Sequence, residues 1–272
     1  MILLEDTTPF MADEEPITSS SNPPHTSSES FNTFFENWLR EQNSHLQELV
    51  TAANNHNEND AVLLQLIEKV VRHYEQYYRT KSDWEKRDAI AMYTPSWLSN
   101  LEEVFLWIGG WRPTLAIHLL YSKSGIQLDA KLGDLIRGIT TGDLSDLAPK
   151  QMEKIDELHR KTIHEERVLT EKLAKVQETA ADRSMVELSS AVSEMMRSGG
   201  GGGESEERVE EVLEVKNGEM EELLHRADDL RLETLKAVIE ILTPIQAAYF
   251  LIAAAELHLR LHEWGKKRGN KQ

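Results

Sequence analysis

The chain has 272 residues, of which 40% are hydrophobic, and carries a formal net charge of −17 at pH 7. That length holds one large domain or two small ones with a sizeable core, and that charge argues against nucleic acid as a direct partner. The absence of cysteine excludes disulfides and thiolate chemistry, and it fits a reducing compartment. The opening Met1-Ile2-Leu3-Leu4 is too short for a secretion signal, and acids follow at once. No apolar run is long and unbroken enough to span a bilayer; residues 242–264 come closest, but two His, two Glu and an Arg count against them. The expectation is a soluble protein of the nucleus or cytoplasm with no membrane span.

Residues 1–28 are acidic and then rich in Ser, Thr, Pro and Asn, so they read as a disordered, solvated tail or an acidic activation-type segment. Order is expected from about Glu29, where Phe31, Phe34, Phe35, Trp38, Leu39, Leu46, Leu49 and Val50 follow the helical period to about Ala53. After a polar break, Asp60 or Asn59 caps a second helix carrying Leu63, Leu64, Ile67, Val70, Val71, Tyr74 and Tyr78. Residues 94–110 begin Thr-Pro and end Gly-Gly, which predicts a helix with both ends marked. Trp111-Arg112-Pro113 restarts the chain, and a short helix follows through Ile117, Leu119 and Leu120. Arg112 beside two Trp suits a ligand contact or a pair with an internal carboxylate; the structural role is favoured.

Residues 126–148 read as short helical turns and loops. From about Pro149 to Met196 little breaks a helix, and Met152, Ile155, Leu158, Ile163, Val168, Leu169, Leu173 and Val176 form its stripe. At 1.5 Å per residue it reaches about 70 Å, with a kink or break expected near Ala180–Ser184. Such a helix serves a homodimer, a partner, or packing within its own bundle. Five glycines at Gly199–Gly203 and the acids after them suggest a flexible connection over 198–218. It is no phosphate loop, because no Lys-Ser or Lys-Thr follows. Order is expected again at about Met220. Leu223, Leu224, Ala227, Leu230, Leu235, Val238, Ile239 and Leu242 lead into the last element, and residues 266–272 form a basic tail. No strand signal appears, so the predicted fold is all-α: a multi-helix bundle in domain 29–265 with one long amphipathic helix.

That last element is the most apolar helix of the chain and belongs inside the bundle. Thr243 caps it, Pro244 suits its first position, and Gly265 offers a stop. His258 and His262 are four apart and share a face with Ala255 and Leu251. Two imidazoles continuing an apolar stripe make a candidate seat for a metal ion or haem, although paired histidines near a helix end are also common at surfaces. One straight helix does not place both on opposite faces of one haem. One would therefore be axial, and the other would support the pocket or take a second haem. His118, His159, His164 and His225 read as structural. No His-Glu-x-x-His motif, phosphate loop or nucleophile elbow is present, and the carboxylates fall on faces expected to be solvated, so catalysis is not expected. An apolar pocket for a lipid is a further reading.

Four stretches in order carry a family resemblance. Phe34-Phe35-Glu36-Asn37-Trp38-Leu39-Arg40-Glu41-Gln42 resembles an aromatic-Trp-x-x-x-Gln start. Phe105-Leu106-Trp107-Ile108-Gly109-Gly110-Trp111-Arg112-Pro113 is similar to a central Trp-x-Gly-Gly-x-Arg signature. Ala227-Asp228-Asp229-Leu230-Arg231-Leu232-Glu233-Thr234-Leu235 resembles an Ala-Asp-x-Leu-Arg-x-x-Thr-Leu segment, where this chain has Arg231-Leu232 after Leu230. The closing His258-Leu259-Arg260-Leu261-His262-Glu263-Trp264-Gly265 looks like the end of a seed-dormancy branch. The family is the plant Delay-of-Germination (DOG) domain, shared with the carboxyl-terminal half of TGA-type bZIP transcription factors. The resemblance implies an all-helical, non-catalytic regulatory module for seed dormancy and abscisic acid signalling. It implies haem bound through His258 and His262, and type 2C protein phosphatases or bZIP factors as partners. No zipper is present here, so direct DNA binding is not implied; a transcriptional co-regulator and a pollen-aperture factor are the alternatives from the same family.

Overall fold

The computed structural model describes residues 26–55, 60–136, 143–198 and 203–269. In chain order the elements are α1 (Thr26–Asn54), α2 (Asp60–Glu85), α3 (Ala89–Tyr93), α4 (Asn100–Glu103), β1 (Leu106–Trp107), β2 (Gly110–Trp111) and α5 (Thr114–Ile136). A 3-10 turn at Leu144–Asp146 precedes α6 (Pro149–Glu178). A second at Thr179–Ala181 precedes α7 (Arg183–Ser198), and α8 (Gly203–Ile241) and α9 (Pro244–Gly269) complete the chain. Among the described residues the fold is all-α apart from one short hairpin.

The last helix is the axis of the bundle, as its composition requires. It packs against α1, α2, α4 and α5, and Ala247, Ala248, Phe250, Leu251, Ile252, Ala253 and Ala255 are all buried. Each large apolar side chain so buried contributes about 1.5–3 kcal/mol. Its start is capped reciprocally: the Thr243 N–H donates to Gln246 Oε1 at 3.0 Å, and the Gln246 N–H donates to Thr243 Oγ1 at 3.4 Å. Around α9 lies an aliphatic core that includes Leu49, Leu63, Ile67, Ile117, Leu120 and Ile155. Next to it an aromatic core gathers Phe31, Phe35, Trp38, Trp97 and Trp107 against Leu224 and Ala227 of α8.

Several expectations are corrected. Residues 94–110 are not one helix. Pro95 disfavours helical backbone before it, and Ser99 starts a single turn, α4, by a capping box with Glu102. The chain then reverses in a hairpin pairing Leu106 with Trp111 and Trp107 with Gly110. Ile108 (φ 45) and Gly109 (φ 65) form its turn with positive φ at both central positions. The buried side chains of Trp107 and Ile108 anchor it. Gly265 does not stop α9, which runs to Gly269; a Cβ there would run into Ser99 and Leu101, so Gly265 lets α4 approach α9. The short helix after Pro113 is a long one, and α5 takes in residues 126–136 of the stretch expected to hold short helical turns and loops; residues 137–142 of that stretch lie outside the described residues. Helix α8 begins at Gly203 rather than near Met220. The acid-rich stretch is therefore mostly helical, since glutamates suit both a helix interior and its positive amino end. Residues 199–202 of the expected flexible connection, residues 1–25 of the amino tail and 270–272 of the basic tail lie outside the described residues.

The break between α6 and α7 falls where the sequence places it, with Asp182 Oδ1 accepting from the Met185 N–H at 2.9 Å to start α7. Helix α6 lies along α8 within the same chain, so intramolecular packing accounts for its stripe. Ile163 is the exception and is exposed, while Thr162 and Glu166 are buried in its place.

A histidine-bearing cavity at the end of the last helix

His258 and His262 share α9 but not an environment. His258 is half-buried and faces a cavity of about 180 Å³ walled by α1, α2, the hairpin, α5, α8 and α9. Its ring lies 5.6 Å from Trp38, 6.2 Å from Trp111 and 6.4 Å from Phe35, centre to centre. Burial lowers its pKa to about 4; the Glu102 carboxylate opposes the shift and His262 adds to it. It is a neutral imidazole at pH 7, the form that ligates metals.

His262 is turned to α4 instead. Its Nδ1 lies 3.0 and 3.1 Å from the two oxygens of Glu102. Glu102 is fully buried and accepts from the Ser99 N–H at 2.9 Å and the Ser99 hydroxyl at 2.6 Å. Burial pushes the Glu102 carboxyl up, but the hydrogen bonds from His262 and Ser99 outweigh it and leave its pKa lowered. The Nε2 of His262 is buried with no hydrogen-bond partner, and Glu36 Oε1 lies 3.9 Å away. A carboxylate on one imidazole nitrogen with the other left open is the arrangement that orients and strengthens histidine ligands.

The cavity walls are aromatic and aliphatic, with Phe35, Trp38, Tyr77, Trp97 and Trp111 among them. Arg112 stands at the rim, pairs with Glu166 at 3.2 Å and lies over the Trp107 ring at 5.4 Å. Glu166 also accepts the Thr114 N–H at 2.8 Å, so Arg112 has the structural role expected of it. A neutral imidazole on an aromatic wall has the donor chemistry that a haem iron takes. The cavity is smaller than the roughly 300–1,000 Å³ usual for ligand pockets. Leu115 and Leu257 line it and are exposed.

Sequence reasoning missed the floor of the cavity, where Lys81, Asp228 and Arg231 line it and Glu85 lies behind them. All four are buried. Their phase was the available signal: Asp228 sits four positions after buried Leu224 and Arg231 four after buried Ala227, and Lys81 continues the stripe of Ile67, Val70 and Tyr74. The structure also brings together His118 and His159, with ring centres 5.2 Å apart. Among the described residues, no three His, Cys, Asp or Glu side chains converge as a metal site.

A family model described as seed dormancy control, DOG1, matches residues 45–122. Protein DOG1-like 3 of Arabidopsis thaliana is 34% identical over 85% of this chain and 82% of its own length. The chain belongs to the DOG1 family. Other relatives of this DOG1-family chain extend the likeness. Protein RESPONSE TO ABA AND SALT 1 of Arabidopsis thaliana is 28% identical over 90% of this chain and 99% of its own length. Transcription factor TGA2 of Arabidopsis thaliana is 28% identical over 85% of this chain but only 62% of its own length. The DOG1-family reading places this chain among plant regulatory proteins.

Proposed function

We propose that this chain is a non-catalytic regulator of the dormancy and abscisic acid kind, acting in the nucleus or cytoplasm through protein partners, with His258 as the seat of a sensed haem. The observation that carries the haem reading is the neutral His258 on an aromatic cavity wall, one turn from a carboxylate-braced His262. A bound haem would supply an iron that takes an imidazole nitrogen. His258 would give that nitrogen. His262 and Glu102 would hold the end of α9 in register, and the aromatic walls would exclude water from the ring faces. Type 2C phosphatases are the proposed partners; the TGA2 likeness favours a bZIP factor as the second reading.

A haem titration followed by visible absorption tests the seat. Wild type is expected to give a sharp Soret band, His258→Ala to lose it, and His262→Ala to keep a weakened band. Far-UV circular dichroism confirms that each variant is folded. Equal binding by folded wild type and His258→Ala would sink the seat. Pull-down with type 2C phosphatases and with bZIP factors separates the two partner readings.

A further inference from the structure

Lys81 and Glu85 on α2, with Asp228 and Arg231 on α8, place four charges beneath the hairpin, and Glu85 is fully buried. Lys81 Nζ lies 2.6 Å from Asp228 Oδ2 and 3.4 Å from Glu85 Oε1. Arg231 pairs with Asp228 and donates to three hairpin carbonyls: Trp107 O, Ile108 O at 2.9 Å and Trp111 O at 2.6 Å. A Cβ at Gly110 would stand 2.8 Å from the guanidinium carbon, and one at Gly109 would stand 3.5 Å from Lys81 Nζ. Arg231 is therefore pressed against the hairpin tip, and Lys81 lies beside it.

Two features make this arrangement conditional. Ile108 is β-branched yet held at φ 45, a strained backbone that persists only where its surroundings enforce it. Glu85 pairs with Lys81 at 3.4 Å, a longer contact than the 2.6 Å from Lys81 to Asp228, so its charge is the least supported of the four.

We propose that Lys81, Glu85, Asp228 and Arg231 form a proton-operated latch on the Gly109-Gly110 hairpin, closed while Glu85 is protonated and loosened when Glu85 gives up its proton. With Glu85 neutral, Lys81 and Arg231 both serve Asp228. Once Glu85 ionises, Lys81 is divided between two carboxylates that repel each other. Asp228 then draws Arg231 more strongly, at the expense of the hairpin carbonyls, and the strain at Ile108 favours release. The wall that sets Trp111 against His258 loosens with it.

Burial holds the Glu85 carboxyl up at about 7; Lys81 opposes this and Asp228 adds to it. The switch therefore works across neutral pH. Asp228 is lowered, because Lys81 and Arg231 outweigh its burial. Tyr77 and Tyr78 on α2 and Tyr93 on α3 also face this charge, and burial raises all three, so they keep their protons here. The latch concerns the hairpin alone and stands or falls apart from any haem.

Amide hydrogen exchange on the full chain tests it, at about pH 6 and about pH 8 and corrected for intrinsic rates. Amides of residues 106–112 are expected to exchange about tenfold faster at the higher pH in wild type, while amides of α6 hold steady. Glu85→Gln is expected to keep the slow rate at both. Equal corrected rates in wild type would overturn the latch. So would a folded Glu85→Gln that follows wild type. The wild-type comparison needs no variant, and Glu85→Ala replaces Glu85→Gln if that variant does not fold.

Discussion

His73 shows what one buried imidazole does to the whole balance. It stacks on Trp38 with ring centres 4.6 Å apart and planes 3° from parallel. Burial, with a contribution from His45, lowers its pKa to about 4; burial lowers that of His45 too. The unfolded chain takes up the His73 proton near pH 6.5, and the folded chain refuses it until about 4. Stability from His73 is therefore whole above about pH 6.5 and falls as the pH drops towards 4, by about 3 kcal/mol at most. His73→Phe keeps the stack and removes the proton site. Urea midpoints at about pH 5 and about pH 7 should differ less in this variant than in wild type. An unchanged difference would show that the acid sensitivity lies elsewhere. The pairing of His258 with His262 was legible from spacing alone. Their division between a cavity and a carboxylate was not, because Glu102 lies 160 residues from His262 and only the packed chain brings it there.

At the level of elements, periodicity found α1, α2, α6 and α9, where apolar residues recur in phase over many turns. It failed at residues 94–111, where Pro95 and the Ser99 cap interrupt the helix and Arg231, far along the chain, supplies donors to the hairpin carbonyls. Glycine plays two different parts. Gly265 reads as a helix stop, yet it is a contact, while Gly218 lies inside α8 with nothing within 4 Å of a built Cβ. Alanine should therefore act with opposite sign at the two positions. Gly265→Ala is expected to cost about 1–3 kcal/mol through the clash with Ser99, and Gly218→Ala to gain up to about 1 kcal/mol of helix propensity. Chemical denaturation of both variants checks the pair, and a stabilised Gly265→Ala would mean that α4 and α9 do not meet closely.

Taken whole, the molecule carries 47 acids against 30 bases. Many surface pairs are local, such as Arg183 with Glu187 and Arg260 with Glu263, and leave the excess of acid uncompensated. Self-repulsion of that kind weakens the compact state and is screened by salt. The melting temperature should rise between about 10 and about 200 mM sodium chloride, read by differential scanning calorimetry; a fall would show that the ion pairs outweigh the repulsion. Among the described residues no helix is long and apolar enough to cross a membrane.

The first helix of the bundle has the last as its neighbour: α1 packs along α9, and Lys266 pairs with Glu36. On a ribosome α1 is made long before α9. The aromatic face of α1, with Phe35 and Trp38, must wait for more than 200 further residues before His258 and its helix arrive. Until then α1 meets only the elements made soon after it, such as α2 through the Trp38–His73 stack, and a message cut short anywhere before α9 leaves the α9 side of α1 without its cover.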